Sequence, residues 1–229
     1  MNNTTTPNIS QIKEIVDARY AKLRNYAAID YVQFSNWQEP EQLGLLTIIV
    51  GLIPIYVDMN EDDVSNEIIR HCNNFKKEFR KFIRKECPGI KWRGAFELDL
   101  VRNIDNKPRM KMLFDDLGEL PTSDKPVINL HFHALIDCQG YSRSVMAELF
   151  RMQWNCNWQV DLRKLSDTKS VEDNARDIGV YCFKCNMQYS KQSDEHVAFV
   201  GEYAPKFMKM LYRILFKIDE TVIKFNSGK

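Results

Sequence analysis

Two histidines separated by a single residue, His131 and His133, have the type and spacing of a metal-binding pair. They lie in an apolar segment that we predict to be a strand, and alternate residues of a strand point to the same face. Glu97 and Asp99 belong to the preceding predicted strand, and either carboxylate could complete a site with three protein ligands. Such a site suits Mn²⁺ or Mg²⁺ and leaves coordination positions open for phosphate oxygens. The simpler alternative is a half-buried pair of strand histidines that binds no metal.

Asp177, Tyr181 and Lys184 form a second pattern, since positions i, i+4 and i+7 of a helix share one face. A tyrosine can serve as a covalent nucleophile. Its hydroxyl is weak near neutral pH, because its unperturbed pKa is about 10, so a metal and a lysine close by would assist it. Asp177, one turn earlier, could accept a proton from water or from a hydroxyl group. The simpler alternative here is a surface helix that carries an Asp–Lys pair and a half-buried tyrosine.

The strands and helices that must position these residues are predicted from the periodicity of apolar residues. Their ends are predicted from polar residues, glycines and prolines that interrupt this periodicity. After an N-terminal helix we predict strands at 45–50, 94–101, 127–137 and 158–165, and helices at 60–86, 142–154, 170–189 and 204–226. Residues 102–125 are polar and proline-containing, so we predict a long loop there. This order is the split βαβ, ferredoxin-like pattern: an α+β fold whose antiparallel sheet carries helices on one face. The other face of the sheet would then be open to a ligand.

The composition is that of an ordinary globular protein, with 44% hydrophobic and 28% charged residues. A chain of 229 residues without repeats or linkers predicts a single domain. The formal net charge of +1 gives no support to nucleic-acid binding, so any such binding must use local patches. The polar N-terminus and six cysteines without a scaffold pattern favour a reduced, cytoplasmic protein. The apolar stretch Leu43–Val57 is shorter than a membrane span and predicts a buried strand, so no membrane partner is expected.

Together the two motifs resemble those of the HUH endonuclease superfamily, especially its plasmid-type rolling-circle replication initiators. That family has histidine–hydrophobic–histidine on a strand and Tyr-x-x-Lys on a later helix, here His131-Phe132-His133 and Tyr181-Cys182-Phe183-Lys184. Plasmid-type members also place a carboxylate four residues before the tyrosine, usually glutamate, where this chain has Asp177. A glutamate on the strand before the histidines is matched by Glu97. The resemblance covers roughly residues 43–190, so residues 1–42 and 191–229 are expected to be helical extensions.

The resemblance implies the HUH endonuclease fold and a metal-assisted nick in single-stranded DNA at a replication origin. It assigns His131, His133 and Glu97 to Mn²⁺ or Mg²⁺, and Tyr181 to the attack that leaves a 5′-phosphotyrosyl link, with Lys184 and Asp177 in support. A host helicase and a host polymerase are the further partners that it implies. Two alternatives stay open: a single-tyrosine transposase or relaxase of the same superfamily, and an inactive DNA-binding regulator with this fold.

Overall fold

A computed structural model describes residues 7–56, 58–101, 108–119, 121–122, 125–156, 158–184, 188–192, 198–202 and 205–227. Its strands are β1 (Leu43–Pro54), β2 (Lys91–Val101), β3 (Val127–Asp137), β4 (Val160–Lys164), β5 (Gln188–Gln192) and β6 (Ala198–Glu202). Its helices are α1 (Ile9–Ser35), α2 (Glu61–Glu86), α3 (Pro108–Leu117), α4 (Arg143–Gln153), α5 (Val171–Cys182), α6 (Pro205–Lys217) and α7 (Glu220–Ile223). A short 3₁₀ turn, Pro40–Gln42, leads into β1.

The central sheet is antiparallel and has four strands in the order β2-β3-β1-β4. The chain is therefore an α+β protein, and β1, α2, β2, β3, α4 and β4 follow one another as the sequence predicts, with α3 as an addition. The register pairs Glu97 with His131, and His133 with Thr47. Because directly paired residues point to the same face, these four side chains share one side of the sheet.

The opposite face of the sheet carries an aromatic core. Phe96 and Phe132 pair across β2 and β3, and Phe75 of α2 packs against both rings, with centroids 5.6 and 5.1 Å away. Phe79 of α2 stacks on Phe150 of α4 at 5.8 Å, which places α4 on the same side. An amphipathic helix buries such a stripe because removal of apolar surface from water drives folding.

The face that carries the histidines is also partly covered by helices, which corrects the expectation of helices on one face only. Tyr181 of α5 contacts the His133 ring, and α1 packs along α5. Glycine at position 179 permits that close approach, because a Cβ there would lie 2.7 Å from the carbonyl oxygen of Ala27. At the other end of this face, α3 packs Leu113 and Phe114 into a small apolar cluster on the sheet. The sheet surface between α5 and α3 holds the histidines.

Three other expectations are corrected. The segment predicted as a long loop, 102–125, contains α3 in its described part. The helix predicted to reach residue 189 ends at Cys182, and residues 188–192 form β5, which pairs with β6. The predicted extension 191–229 therefore begins with strand residues and is not helical throughout; its helix 204–226 is divided into α6 and α7.

The last described residues close one edge of the sheet. The backbone N–H of Phe225 donates to the carbonyl of Gly94, and that of Ser227 donates to the carbonyl of Trp92. The Phe225 ring enters the aromatic core 5.3 Å from the ring of Trp92. Such pairing protects an edge strand whose backbone groups would otherwise be exposed. Within the described part of the chain, no helix combines the length and the apolar character that a membrane crossing requires.

Candidate metal centre

Glu97, His131 and His133 come together on the sheet as a group that could bind a divalent metal ion, with one ligand atom of each within 4.8 Å of the others. Nε2 of His133 lies 2.9 Å from Oε2 of Glu97 and 3.3 Å from Nδ1 of His131. Neighbouring ligands of an octahedral ion bound at about 2.1 Å are about 3 Å apart, so these separations suit a shared ion. Asp99, the other sequence candidate, lies opposite Asn129, two residues further along β2, and is outside the group.

Burial keeps the two histidines in the form that binds metals. It lowers the pKa of His131 to about 3, with a further contribution from His133, and lowers the pKa of His133 to about 3, with a further contribution from Lys184. Both rings are therefore neutral near pH 7, and a neutral imidazole has a lone pair to donate. Burial also raises the pKa of Glu97, while His131 and Lys184 oppose that rise.

One nitrogen of the cluster is left without a hydrogen bond. Nε2 of His131 is buried, and no hydrogen-bond partner for it exists among the described residues. An unsatisfied buried polar atom costs about 1–3 kcal/mol. This nitrogen is not the one that faces the other two ligands, because Nδ1 of His131 lies 3.3 Å from Nε2 of His133. The fit to a divalent ion therefore depends on the spacing of the three ligand groups and on the neutral imidazoles. The residues present therefore fit a divalent metal.

Thr47 of β1 is a part of the centre that the sequence motifs do not include. Its Oγ1 lies 2.9 Å from Nδ1 of His133. When Nδ1 carries the ring proton and donates it to this hydroxyl, Nε2 keeps its lone pair and faces Glu97. The only signal in the sequence is a single polar residue within the apolar run Leu45–Val50.

Tyr181 is in the last turn of α5, where its ring meets the edge of the His133 ring at a centroid distance of 5.0 Å. About 41% of the residue is exposed, so a ligand can reach it. The helix that carries it begins at a side-chain cap, because Ser170 accepts a hydrogen bond from the backbone N–H of Asp173. Cys182, the next residue, is buried and its thiol donates to the backbone carbonyl of His133 at 3.6 Å, which holds the end of α5 against β3.

Lys184 reaches the same centre from beyond the helix, since α5 ends two residues before it. Its Nζ lies 3.2 Å from Oε1 of Glu97 and 3.9 Å from the centroid of the Tyr181 ring. Burial alone would lower the pKa of Lys184, but Glu97 and Tyr181 outweigh it and raise that pKa. The expected helical i+7 position is therefore wrong, although the lysine is beside the tyrosine and the carboxylate.

Asp177 is not brought into the cluster. Its carboxylate forms an exposed ion pair with Lys169, with Oδ2 and Nζ 2.6 Å apart. Within the described part of the chain, no hydrogen bond or ion pair joins Asp177 to the three candidate ligands. The geometry thus groups five of the seven residues selected from the sequence, leaves out Asp99 and Asp177, and adds Thr47.

Fold and site together define an α+β protein with a candidate divalent-metal centre beside an accessible tyrosine. Comparisons with protein-family models, with curated proteins and with solved structures gave no match. The argument for a function therefore depends on the chemistry of this centre and on the sequence motifs.

Proposed function

We propose that the protein is a metal-dependent endonuclease of the HUH superfamily that nicks single-stranded DNA and so starts rolling-circle replication. One observation carries the proposal: Tyr181 and Lys184, from a Tyr-x-x-Lys motif, lie directly against a Glu-His-His group on adjacent strands. The contact brings a tyrosine hydroxyl, a lysine cation and a candidate metal-ligand group into one place. They suit transfer of a phosphodiester to a side chain.

In the proposed reaction, Oη of Tyr181 attacks a phosphorus atom of the DNA strand. The bond between phosphorus and the 3′-oxygen breaks as the bond between phosphorus and the tyrosine oxygen forms. The tyrosine hydroxyl loses one proton and the leaving 3′-oxygen gains one. The products are a 5′-phosphotyrosyl link and a free 3′-hydroxyl. A bound Mn²⁺ or Mg²⁺ would polarise the scissile phosphate and neutralise its developing charge.

The remaining residues position and release the strand. His131, His133 and Glu97 would hold the ion, and Thr47 keeps the His133 ring in its orientation. Lys184 stabilises negative charge at the phosphate and at the tyrosine oxygen, from a position that already contacts both Glu97 and Tyr181. Asp177 would act as general base for the water or 3′-hydroxyl that reverses the link, once its side chain leaves Lys169.

The proposed substrate is single-stranded DNA at the origin of a plasmid-type replicon, with a host helicase and polymerase acting on the opened strand. A transposase or relaxase of the same superfamily would use the same residues on a different DNA site. A DNA-binding regulator would share the fold and form no covalent link.

The proposal is tested with labelled single-stranded oligonucleotides that tile the protein's own replicon, in Mn²⁺, in Mg²⁺ and in EDTA. We expect one oligonucleotide to be cut at one position when a metal is present. The matched variants His131→Ala and His71→Ala separate the centre from an ordinary histidine, because His71 lies on α2, outside the metal group. Loss of cleavage in His131→Ala alone supports the proposal, and equal cleavage in both variants contradicts it.

A further inference from the structure

Trp158 is the tryptophan that combines an exposed side chain with an uncommon backbone conformation. It precedes β4 with φ of 60°, a left-handed conformation that bulky residues rarely adopt, and 52% of the residue is exposed. A tryptophan held in this way is not a core residue. Uncommon backbone conformations of this kind concentrate at ligand contacts, because the surrounding structure must enforce them.

The guanidinium of Arg109 covers the Trp158 ring, with its carbon 4.3 Å from the ring centroid. Arg109 belongs to α3, so the pair joins the helix to the edge of the sheet. Among the residues that the structure describes, no carboxylate forms an ion pair with Arg109. Its charge therefore stays available to an anionic ligand, while the aromatic ring offers a surface for stacking.

The helix of this pair lies on the same side of the sheet as the metal group, because Leu113 and Phe114 of α3 cluster with Ile49, whose strand partner is His131. The residue after Trp158, Gln159, hydrogen-bonds to both the N–H and the carbonyl of Ile49, and Ile49 pairs with His131. Two strand spacings of about 4.8 Å separate Gln159 from His131, which gives roughly 10 Å. At a stacked spacing of about 3.4 Å per nucleotide, that distance corresponds to about three nucleotides.

We propose that Trp158 and Arg109 form a binding site for an unpaired nucleobase, a few nucleotides away from the phosphate that Tyr181 attacks. The inference rests on the proposed function, because it extends the path of the DNA strand from the metal group towards α3. The base stacks on the indole, and the guanidinium attracts the phosphate that precedes or follows it. Stacking of this kind accepts any base, which suits a strand that must pass through the site.

The test measures binding in EDTA, so that it is independent of cleavage. Fluorescein-labelled oligothymidylate is titrated with the protein, and an abasic oligomer of the same length serves as the probe that cannot stack. We expect Trp158→Leu to weaken oligothymidylate binding about tenfold or more and to leave abasic binding unchanged. Trp158→Phe, which keeps an aromatic ring, should retain most of the affinity.

Three further variants complete the design. Trp37→Leu removes the other strongly exposed tryptophan, which lies between α1 and β1, and should bind as wild type does. Arg109→Met keeps the length of the side chain but removes its charge, and should weaken binding to both probes. In the Trp37→Phe protein, Trp158 is the one strongly exposed tryptophan, so oligothymidylate should quench its emission.

The results separate this inference from the proposed function. If the wild-type protein nicks DNA but Trp158→Leu binds oligothymidylate as tightly as wild type does, the stacking site is refuted and the endonuclease stands. If the wild-type protein binds oligothymidylate no better than the abasic oligomer, the stacking site is refuted whether or not nicking occurs. A third result is also informative. If wild type binds oligothymidylate better than the abasic oligomer, Trp158→Leu loses that preference and wild type forms no covalent adduct, the stacking site is supported and the endonuclease is contradicted.

Discussion

Replacing Thr47 with valine removes the hydroxyl that contacts Nδ1 of His133 and changes little else in the volume of the side chain. The imidazole then loses the partner that favours a proton on Nδ1. In the other tautomer Nε2 carries the proton and has no lone pair for a metal. We therefore expect Thr47→Val to bind Mn²⁺ more weakly although each of the three candidate ligands is still present.

The expected loss of Mn²⁺ affinity can be estimated from what groups that orient a ligating histidine contribute to metal binding. Loss of the group that orients a ligating histidine weakens metal affinity about 10- to 100-fold. At a metal concentration of about 100 times the wild-type dissociation constant, stabilisation falls from about 2.7 kcal/mol to about 0.4–1.4 kcal/mol. For a chain of this size the metal-induced shift in melting temperature should fall from about 5–11 °C to about 1–6 °C.

The assay is a thermal melt of wild type, Thr47→Val and Thr47→Ser at several Mn²⁺ concentrations. Serine keeps the hydroxyl, so its metal-induced shift should match that of wild type even if its metal-free stability is lower. A valine variant with the full wild-type shift would refute the reasoning, because the hydroxyl would then have no part in metal binding.

Three further variants test other contacts of the centre. Lys184→Ala leaves the buried Glu97 carboxylate without its cation, so it should lower metal-free stability by roughly 1–3 kcal/mol, the cost of an unsatisfied buried polar group, and enlarge the stabilisation by Mn²⁺; a smaller metal-induced shift would contradict this. Gly179→Ala places a Cβ against the backbone of Ala27, so it should destabilise the fold by about 1–3 kcal/mol and lower the melting temperature by several degrees. An unchanged melting temperature would show that α1 can shift away from α5 without a loss of stability. Asp177→Ala should lengthen the lifetime of the covalent adduct at least tenfold if this carboxylate is the general base, whereas adduct decay at the wild-type rate would assign it only a surface ion pair.

Most helices and strands could be predicted from the sequence because the patterns that indicate them lie within short segments of the chain. β3 has the predicted bounds, 127–137, and α2 follows its cap Asn60 and ends at Glu86 as expected. Helix α3 was missed because it is short and lies within a segment, 102–125, that is otherwise polar and proline-containing, although Pro108 at its first position is a helix-start signal. The end of α5 was missed because no glycine or proline marks it.

The site was only partly accessible, because its geometry depends on pairing between strands that are distant in the chain. The same-face placement of His131 and His133 follows from strand periodicity alone. The choice of Glu97 over Asp99 follows from the register of β2 against β3, which neither segment reveals by itself. Thr47 is part of the centre for the same reason, since β1 pairs with β3 across more than eighty residues of sequence.

The most direct test of the central claim is the identity of the residue that becomes linked to DNA. The protein is incubated with Mn²⁺ and single-stranded oligonucleotides from the proposed replicon, the adduct is digested, and the modified peptide is sequenced by mass spectrometry, with Tyr181→Phe in parallel. We predict a 5′-phosphonucleotide on Tyr181 and no adduct from a folded Tyr181→Phe protein. A link at another residue, or an adduct that persists in Tyr181→Phe, would contradict the account.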